Sequence, residues 1–359
     1  MRGTNGPFPP AAAGRTVRDM TSEVGTAGPA LGLSGPETVA VLETAALAPS
    51  VHNTQPWAFR VAPDVVELHL DPARRLPVAD PDDQELRLAC GAALFNLRLA
   101  LLARGVRPAV VLYPDPARPQ LVAQVRRAGT GHATPELTRL LEVVPRRHTN
   151  RRPFTGAPVA AAERYALRRA AAEEGALLHF VPAAQRAELG RLSVAAHRRQ
   201  LTDPAFRDEL QRWTGRGPEQ PDGVPARVAG PLPAAHDRWV VRDFAGGTGH
   251  ERAPGKDEDE PLLAALIPHV TGPAAEVRAG EAMQRVLLTA TAEGLAVSFL
   301  SHLVEVPDAR EALRKLVGAV RPPLAVLRIG HGLPAGRTPR RSMDKLMLPD
   351  VPDQPDQPS

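Results

Sequence analysis

The order of apolar patterns is the same in the two halves of the chain: a helix, a strand, a long helix and a strand. In the first half, apolar residues at helical spacing predict helices over residues 37–47 and 82–104. In the second half, the same spacing predicts helices over residues 159–174 and 274–294. No residue-by-residue repeat accompanies this order, so duplication is inferred from the pattern alone. A chain of 359 residues can form one large domain or two ordinary ones.

Composition divides the chain into two structured units and two tails: residues 34–145, residues 146–349, and the tails 1–33 and 350–359. The tails lack periodicity and are predicted to be disordered, with Met20 as an alternative start to Met1. Gly and Pro are frequent in residues 214–261 of the second unit. A loop of this length is usually a lid, a binding segment or a linker.

Charge and cysteine content exclude several classes of protein. The net charge is +4, and basic residues alternate with acidic ones, which is typical of a solvated surface and not of a nucleic-acid-binding one. Cys90 is the single cysteine, so an intramolecular disulfide is excluded, and its apolar surroundings predict a buried thiol. No stretch approaches the roughly 20 apolar residues of a membrane span, and the N-terminus lacks a signal-peptide core. We therefore predict a cytoplasmic protein that binds neither nucleic acid nor membrane.

A dense run of polar residues, Ser50-Val51-His52-Asn53-Thr54-Gln55, lies between the first predicted helix and a predicted hairpin. A connector would not need so many neutral donors and acceptors ahead of Pro56 and Trp57. Side-chain amides both donate and accept hydrogen bonds, so they can contact a ring edge that carries carbonyls and N–H groups. The run favours a binding loop for a planar, uncharged heteroaromatic ligand, with a helix-to-strand connector as the alternative.

Two later segments are rich in arginine: residues 146–152, and residues 337–342 after a predicted strand. Arginines around a hydroxyl residue can hold a phosphate group through charge-assisted hydrogen bonds. In a chain this rich in arginine, residues 146–152 taken alone are better explained as a solvated basic connector or a nucleic-acid patch, and residues 337–342 taken alone are a weak signal.

Motifs of other enzyme classes are absent from the sequence. It has no G-x-G-x-x-G, Walker, G-x-S-x-G or H-E-x-x-H motif, and its eleven histidines do not fall at metal-ligand spacing. His52, His148, His302 and His331 could each contact a ligand, although such histidines more often belong to a core or a surface. This pattern is typical of a redox protein whose cofactor carries the chemistry, so we predict no catalytic residue and no metal site.

The polar run and the two arginine-rich segments, together and in this order, resemble segments of the nitroreductase family of FMN proteins, most closely its actinobacterial Acg-like branch. Residues 49–57 match the family signature Pro-Ser…Asn-x-Gln-Pro-Trp. Three further segments resemble the family's Arg-x-Ser/Thr-x-Arg phosphate motif, its ring-flanking segment and its C-terminal basic pair: residues 147–151, residues 294–300 and Arg340-Arg341. The resemblance implies an α+β, nitroreductase-like fold of antiparallel-rich sheets flanked by helices.

The order of the motifs departs from that of the family. In ordinary nitroreductases the arginine motif precedes the loop, both occur in each subunit of a homodimer, and each flavin contacts both subunits. Here the arginine motif follows the loop, and residues 174–178 occupy the place of a second loop. The resemblance therefore implies a single-chain pseudo-dimer that is monomeric and keeps one composite flavin site.

The resemblance also implies roles for individual residues, with FMN as cofactor. Residues expected at the flavin ring or ribityl chain are Ser50, His52, Asn53 and Gln55. Residues expected at the phosphate are Arg147, Thr149, Arg151, Arg340 and Arg341. Residues expected beside the flavin are Ser298, Leu300 and Ser301.

The implied activity is hydride transfer from NAD(P)H to FMN and on to a nitroaromatic or quinone. A lid over residues 214–261 that stays shut would instead make the protein a catalytically weak FMN store. A third alternative is a binding protein without a cofactor.

Overall fold

The computed structural model describes residues 27–217, 219–234, 237–249, 261–333 and 335–349. They form an α+β fold in which two antiparallel sheets surround a pair of long helices. The elements of the first half, in chain order, are α1 (Gly35–Ala46), β1 (Trp57–Ala62), β2 (Val65–Leu70), α2 (Gln84–Ala103), β3 (Val106–Leu112), β4 (Leu121–Thr130) and α3 (Pro135–Val143).

The second half begins with a short strand and carries extra elements between its main strands. In chain order it contains β5 (Phe154–Thr155), α4 (Ala161–Glu173), β6 (Ala176–Phe180), α5 (Ala183–Thr202), α6 (Pro204–Trp213), β7 (Thr214–Arg216), β8 (Val224–Pro225), β9 (Leu262–Pro268), α7 (Pro273–Ala292), β10 (Ala296–Phe299), α8 (His302–Glu305), α9 (Pro307–Leu316) and β11 (Ala325–Gly332).

The two sheets have the same strand order. The first sheet runs β1-β2-β4-β3, and the main path of the second runs β6-β9-β11-β10. In both, a helix precedes the first strand and a long helix joins the second strand to the third. The tandem-unit, nitroreductase-like α+β fold predicted from the sequence is confirmed at this level.

The long helices α2 and α7 cross at a pair of glycines. A Cβ atom on Gly91 would lie 1.9 Å from the Val277 carbonyl oxygen, and one on Gly280 would lie 2.1 Å from the Leu88 carbonyl oxygen. Gly280 follows Gly91 in the chain by the same number of residues as Val277 follows Leu88, so the contact is reciprocal. Only glycine permits this approach, and it brings the two units around one apolar core.

The C-terminal segment returns to the first unit. The Phe59 backbone N–H donates to the Leu346 carbonyl at 2.8 Å, and the Leu348 N–H donates to the Phe59 carbonyl at 2.7 Å. Residues 346–348 thereby add a short parallel bridge beside β1. The end of the second unit is thus held by the first.

Local signals placed the first helix correctly. The helix predicted over residues 37–47 is α1, and its start is capped: the Ser34 backbone N–H and hydroxyl both donate to the Glu37 carboxylate, at 2.9 and 2.6 Å. Cys90 is fully buried in α2, as expected.

Two sequence predictions need correction: the disorder of the N-terminal tail and the absence of a stretch long and apolar enough to span a membrane. Disorder is wrong for residues 27–33, because Leu31 and Leu33 are buried in the main core and the Leu31 N–H donates to the Pro63 carbonyl at 2.8 Å. Residues 1–26 and 350–359 lie outside the described part of the chain. Helix α2 is long and apolar enough to cross a membrane by length and composition, contrary to expectation, but 78% of its most apolar stretch is buried inside the protein.

Candidate functional site

A cleft of about 980 Å³ is lined by residues of both units. Three segments form most of its wall: residues 49–52 after α1, residues 239–244 between α6 and β9, and residues 298–302 at the end of β10. The crossing helices add Leu88 and Ala89 from α2 and Met283 from α7. The structure thus brings the predicted loop and the predicted ring-flanking segment to one place.

The loop after α1 has a strained backbone. His52, Asn53 and Gln55 have φ values of 49°, 57° and 52°, in the left-handed region that residues other than glycine seldom adopt. The Ser50 hydroxyl accepts a hydrogen bond from the Gln55 backbone N–H at 2.9 Å, which closes the loop on itself. Such strain persists only where the surroundings hold it, and it is concentrated at functional sites.

Two amides of the loop bind the protein itself. The Asn53 amide donates to the carbonyl oxygens of Gly223 and Pro339, both at 3.1 Å. The Gln55 amide donates to the Pro221 carbonyl at 2.9 Å, and its oxygen accepts a backbone N–H of the C-terminal segment at 2.8 Å. Gln55 is fully buried and does not line the cleft. The structure therefore does not present these amides to a ring as predicted, because main-chain groups already satisfy them; they join the loop to two distant segments.

The arginine motif is held against the second sheet. Thr149 forms a parallel bridge with Val297 of β10, and the Asn150 N–H donates to the Val297 carbonyl at 2.8 Å. Buried Arg328 of β11 donates to the carbonyl oxygens of Asn150 and Arg152, at 3.2 and 3.0 Å. Thr149 consequently lies beside the end of β10 and faces the cleft.

A smaller chamber opens beside the main cleft and shares part of its lining. Burial lowers the pKa of Arg147 and of Arg151 to about 10, and that of Arg340 to about 9, so all three stay protonated at neutral pH. Among the described residues, no Asp or Glu lines this chamber. A buried cation without an anionic neighbour is costly, so the chamber is built to receive an anion. Its lining consists of Pro49, Ser50, Asn53, Arg147, His148, Thr149, Arg151, Gly336, Thr338 and Arg340.

The two C-terminal arginines have different positions. Arg340 reaches the chamber and donates to the Ala46, Leu47 and Ala48 carbonyls at the end of α1, at 3.0 to 3.1 Å. Arg341 points away: its guanidinium pairs with the Asp71 carboxylate at 3.3 Å. Arg341 lines neither chamber, so the structure does not bring it to the predicted phosphate position.

The main cleft is mostly apolar, and the segment between α6 and β9 covers part of it. Trp239 and Phe244 of that segment line the cleft, and the Arg151 guanidinium lies 4.6 Å from the Phe244 ring centre. The predicted residues Ser298, Leu300 and Ser301 also line it. Other parts of the predicted 214–261 lid, including its acidic run at 257–260, lie outside the described residues.

The four histidines that the sequence marked as possible ligand contacts lie in different places. His52 and His302 line the cleft, and burial together with nearby Arg242 lowers the pKa of both well below the usual range, which keeps them neutral. His148 lines the anion chamber, and His331 on β11 lines neither. The His302 ring nitrogen Nε2 lies 2.7 Å from the Ser193 hydroxyl, while His52 Nδ1 has no hydrogen-bond partner among the described residues.

No family model matches the chain, but it has close relatives in Mycobacterium tuberculosis (strain H37Rv). It is 34% identical over 347 residues to the protein named "Putative NAD(P)H nitroreductase Rv3131", with 91% of this chain and 97% of that protein covered. It is 30% identical over 311 residues to "Putative NAD(P)H nitroreductase acg", covering 85% and 93%. The chain belongs to the nitroreductase family. The predicted family and its Acg-like branch are therefore confirmed.

Solved nitroreductases resemble part of the chain. An FMN-dependent nitroreductase, NfnB, from Mycobacterium smegmatis in complex with NADPH matches at 18% identity and a TM-score of 0.38, covering 60% of this chain and all of that one. A nitroreductase with bound FMN from Desulfitobacterium hafniense matches at 17% identity and a TM-score of 0.36, covering 60% and 98%.

The sequence analysis did not identify several residues that line the cleft. Arg328 is hidden in an apolar strand, where its 1% exposure could not be read from spacing. Glu85 and Arg242 come together from distant segments and line the cleft with it. An ionisable residue inside an otherwise apolar strand, as at Arg328, is the signal that could have marked that residue.

Proposed function

We propose that this protein is a flavoprotein oxidoreductase that holds one FMN in the cleft and passes a hydride from NAD(P)H to a small nitroaromatic or quinone. The observation that carries the proposal is the anion chamber: one buried arginine, Arg147, and two half-buried ones, Arg151 and Arg340, with no acidic residue in its described lining. It adjoins an apolar cleft, and Pro49, Ser50, Thr149 and Arg151 line both spaces. A ligand with a phosphate at one end and a flat ring at the other fits this pair.

The chain's residues fit the two ends of FMN differently. Arg147 and Arg151 would hold the phosphate by charge-assisted hydrogen bonds, and Thr149 lines the same chamber. Pro49, Ser50 and Leu300 would lie along the ring. Family membership supports this proposal, since relatives are named as NAD(P)H nitroreductases.

The bound flavin would supply the hydride-accepting ring. The chain would orient that ring and keep water away from it with the apolar walls of the cleft. Asn53 would act indirectly: it fixes the loop through Gly223 and Pro339. In this proposal no side chain of the loop itself transfers a proton.

One FMN per chain follows from the difference between the units. Residues 47–56 form the loop between α1 and β1, whereas α4 ends at Glu173 and β6 begins at Ala176. The second unit thus lacks the loop, and Glu174 there is bonded to Arg98 and Arg285, at 2.8 and 2.9 Å. We propose a single-chain pseudo-dimer that is monomeric, with the units near residues 34–145 and 146–349.

A catalytically weak FMN store is the second candidate. The observation that favours it is the ion pair of Arg242 with Glu305 at 2.6 Å, in which both side chains are at most 5% exposed. Arg242 belongs to the covering segment, so this pair holds the cover down over the cleft. A cover that stays closed would retain flavin and exclude substrate.

Two measurements test these functions. Flavin released from purified protein by denaturation should amount to one FMN per chain; two would contradict the single site, and protein that cannot be loaded with FMN would contradict the flavoprotein. Anaerobic NADPH or NADH should then bleach the flavin absorbance of the holo-protein. Persistent colour would favour storage over catalysis.

A further inference from the structure

Glu85 is a buried carboxyl group at the wall of the main cleft. It is the second residue of α2, and Leu88 and Ala89, one turn later on the same face, line the cleft with it. Glu85 is 8% exposed, and its Oε2 atom is buried without a hydrogen-bond partner among the described residues. A buried polar atom left unpaired costs about 1–3 kcal/mol, more if charged, so its retention at a cleft points to a ligand.

The charges around Glu85 do not neutralise it. The carboxylates of Asp80, just before α2, and of Glu305 on α8 both act on it, and with burial they raise the pKa of Glu85 well above its usual value. Two cations oppose this shift, but both are engaged elsewhere. Arg242 pairs with Glu305 at 2.6 Å, and Arg310 on α9 donates to the Gln84 amide oxygen at 2.8 Å.

The histidines of the cleft do not supply a charge either. His52 and His302 have pKa values well below the usual range, owing to burial and to Arg242. Burial and the neighbouring carboxylates therefore favour the protonated form of Glu85, which has a hydrogen to donate into the mostly apolar cleft. A buried acid with a shifted pKa in a cleft is a candidate for proton transfer or ligand binding.

We propose that the Glu85 carboxyl group donates a hydrogen bond, and on reduction a proton, to an oxygen atom of a quinone or nitroaromatic substrate in the main cleft. This rests on the proposed oxidoreductase function and deepens it. The substrate class is then an aromatic compound whose oxygen accepts a hydrogen bond. An aromatic compound without such an oxygen would lack this contact.

The position of Glu85 favours the substrate over the phosphate end of the cofactor. Glu85 lines the main cleft but not the anion chamber, where Arg147 and Arg340 lie. The covering residues Trp239 and Phe244 line the same main cleft. A ligand between this cover and α2 can contact Glu85 without disturbing the arginines.

The proton balance of quinone reduction requires such a donor. NAD(P)H loses a hydride, which is two electrons and one proton, and the quinone gains that hydride together with one further proton. Its two carbonyl groups become two hydroxyl groups, and Glu85 is left as a carboxylate that water re-protonates. General acid catalysis of this kind contributes about 100- to 10,000-fold to a rate.

The test compares wild type with Glu85→Gln, which keeps a hydrogen-bond donor but cannot release a proton, and with Glu85→Leu, which keeps neither. Glu43→Gln on the exposed side of α1 is the control. Oxidised holo-protein is titrated with 1,4-naphthoquinone without any reductant, and with naphthalene as the ligand that lacks oxygen. Quenching of tryptophan fluorescence reports binding, since Trp239 lines the cleft.

For wild type, naphthoquinone affinity should be high while Glu85 is protonated and should fall as the pH rises through the Glu85 pKa. Glu85→Gln should bind with an affinity that does not change with pH, and Glu85→Leu about 10-fold more weakly, as expected for one lost hydrogen bond. Naphthalene affinity should not change with pH, and it should be the same in wild type and in the Glu85 variants. With NADPH present, Glu85→Gln should reduce the quinone about 100-fold more slowly, at a similar KM.

Other results would overturn the proposal in distinguishable ways. One such result is that NADPH bleaches the holo-protein normally while the naphthoquinone affinity changes neither with pH nor with the substitutions at Glu85. That result would reject the role of Glu85 and leave the proposed function standing. Normal turnover by Glu85→Gln would reject the proton transfer. A weaker FMN affinity in Glu85→Gln, with unchanged quinone binding, would assign the carboxyl group to the cofactor instead. Protein that never binds FMN would reject this proposal together with the proposed function.

Discussion

The two units share a strand order but differ in what interrupts it. The first unit has its extra residues between α1 and β1, where residues 47–56 form the strained loop. The second unit closes that gap with Glu174 and Gly175 alone, and places its extra residues between β6 and β9 instead. One unit therefore supplies the loop that lines the cleft, and the other supplies the cover and the arginine motif.

Two units with the same strand order therefore differ in the loops that they carry. The scaffold contacts, such as the crossing of Gly91 with Gly280, are reciprocal. The functional contacts are not: the loop has no counterpart in the second unit. A pair of units joined in one chain can diverge in this way because neither has to be identical to its neighbour.

The largest effect is expected at the reciprocal crossing. Gly91→Ala and Gly280→Ala should each lower the free energy of unfolding by about 3 kcal/mol, because the added Cβ meets a main-chain carbonyl that cannot move aside. In an unconstrained helix the same change would stabilise by about 1 kcal/mol. Chemical denaturation of both variants would measure the effect.

The exposed change Arg278→Ala on α7 is the control, and it should stay within about 0.5 kcal/mol of wild type. If only one of the two glycine variants were destabilised, the two units would not be equivalent at their contact.

The next largest effect is on FMN affinity, and it should distinguish Arg147 from Arg341. Arg147→Gln should weaken FMN binding about 10- to 100-fold, because a charged hydrogen bond to the phosphate is lost. Arg341→Gln should weaken it far less, since Arg341 pairs with Asp71 and lines neither chamber. Titration of apo-protein with FMN and with riboflavin would measure both, and riboflavin affinity should not respond to Arg147.

A smaller effect is expected from the loop's anchors. Asn53→Ala should lower stability by about 2 kcal/mol, because the Gly223 and Pro339 carbonyls lose their donor. Thr44→Ala, whose hydroxyl bonds only to the Ala40 carbonyl within α1, should cost less than about 1 kcal/mol. Equal losses in thermal or chemical unfolding would contradict the anchoring role.

The smallest effect is expected where the second loop is missing. Glu174→Gln removes a charge that contacts Arg98 and Arg285, and should cost about 1 kcal/mol of stability. FMN affinity and stoichiometry should stay unchanged. An altered FMN content in this variant would show that the second unit still takes part in flavin binding.

Much of this arrangement could be predicted from the sequence, because local signals carry it. The helices, the β1–β2 hairpin and the three motif segments follow from spacing and capping, and they fall where the patterns place them. The motif order also indicated that loop and arginines would meet from different halves. In the structure, residues of the loop and of the arginine motif line one cleft.

The direction of individual side chains could not be predicted in the same way. Gln55 and Arg341 lie in motifs that reach the site, yet they face each other's backbone and Asp71. Glu85 and Arg242 gain their surroundings only when α2, α8 and the covering segment pack together. Such contacts join residues far apart in the chain, and no local pattern encodes them.

Because the C-terminal segment returns to the first unit, the contacts that hold the loop after α1 form late in synthesis of the chain. Arg340 and the Pro339 carbonyl, which hold the loop after α1, are translated 287 and 286 residues after Asn53. Until they emerge from the ribosome, the left-handed residues of the loop lack two of their anchors. A chain that stopped before residue 339 would therefore keep the sequence of the loop and lose these two contacts.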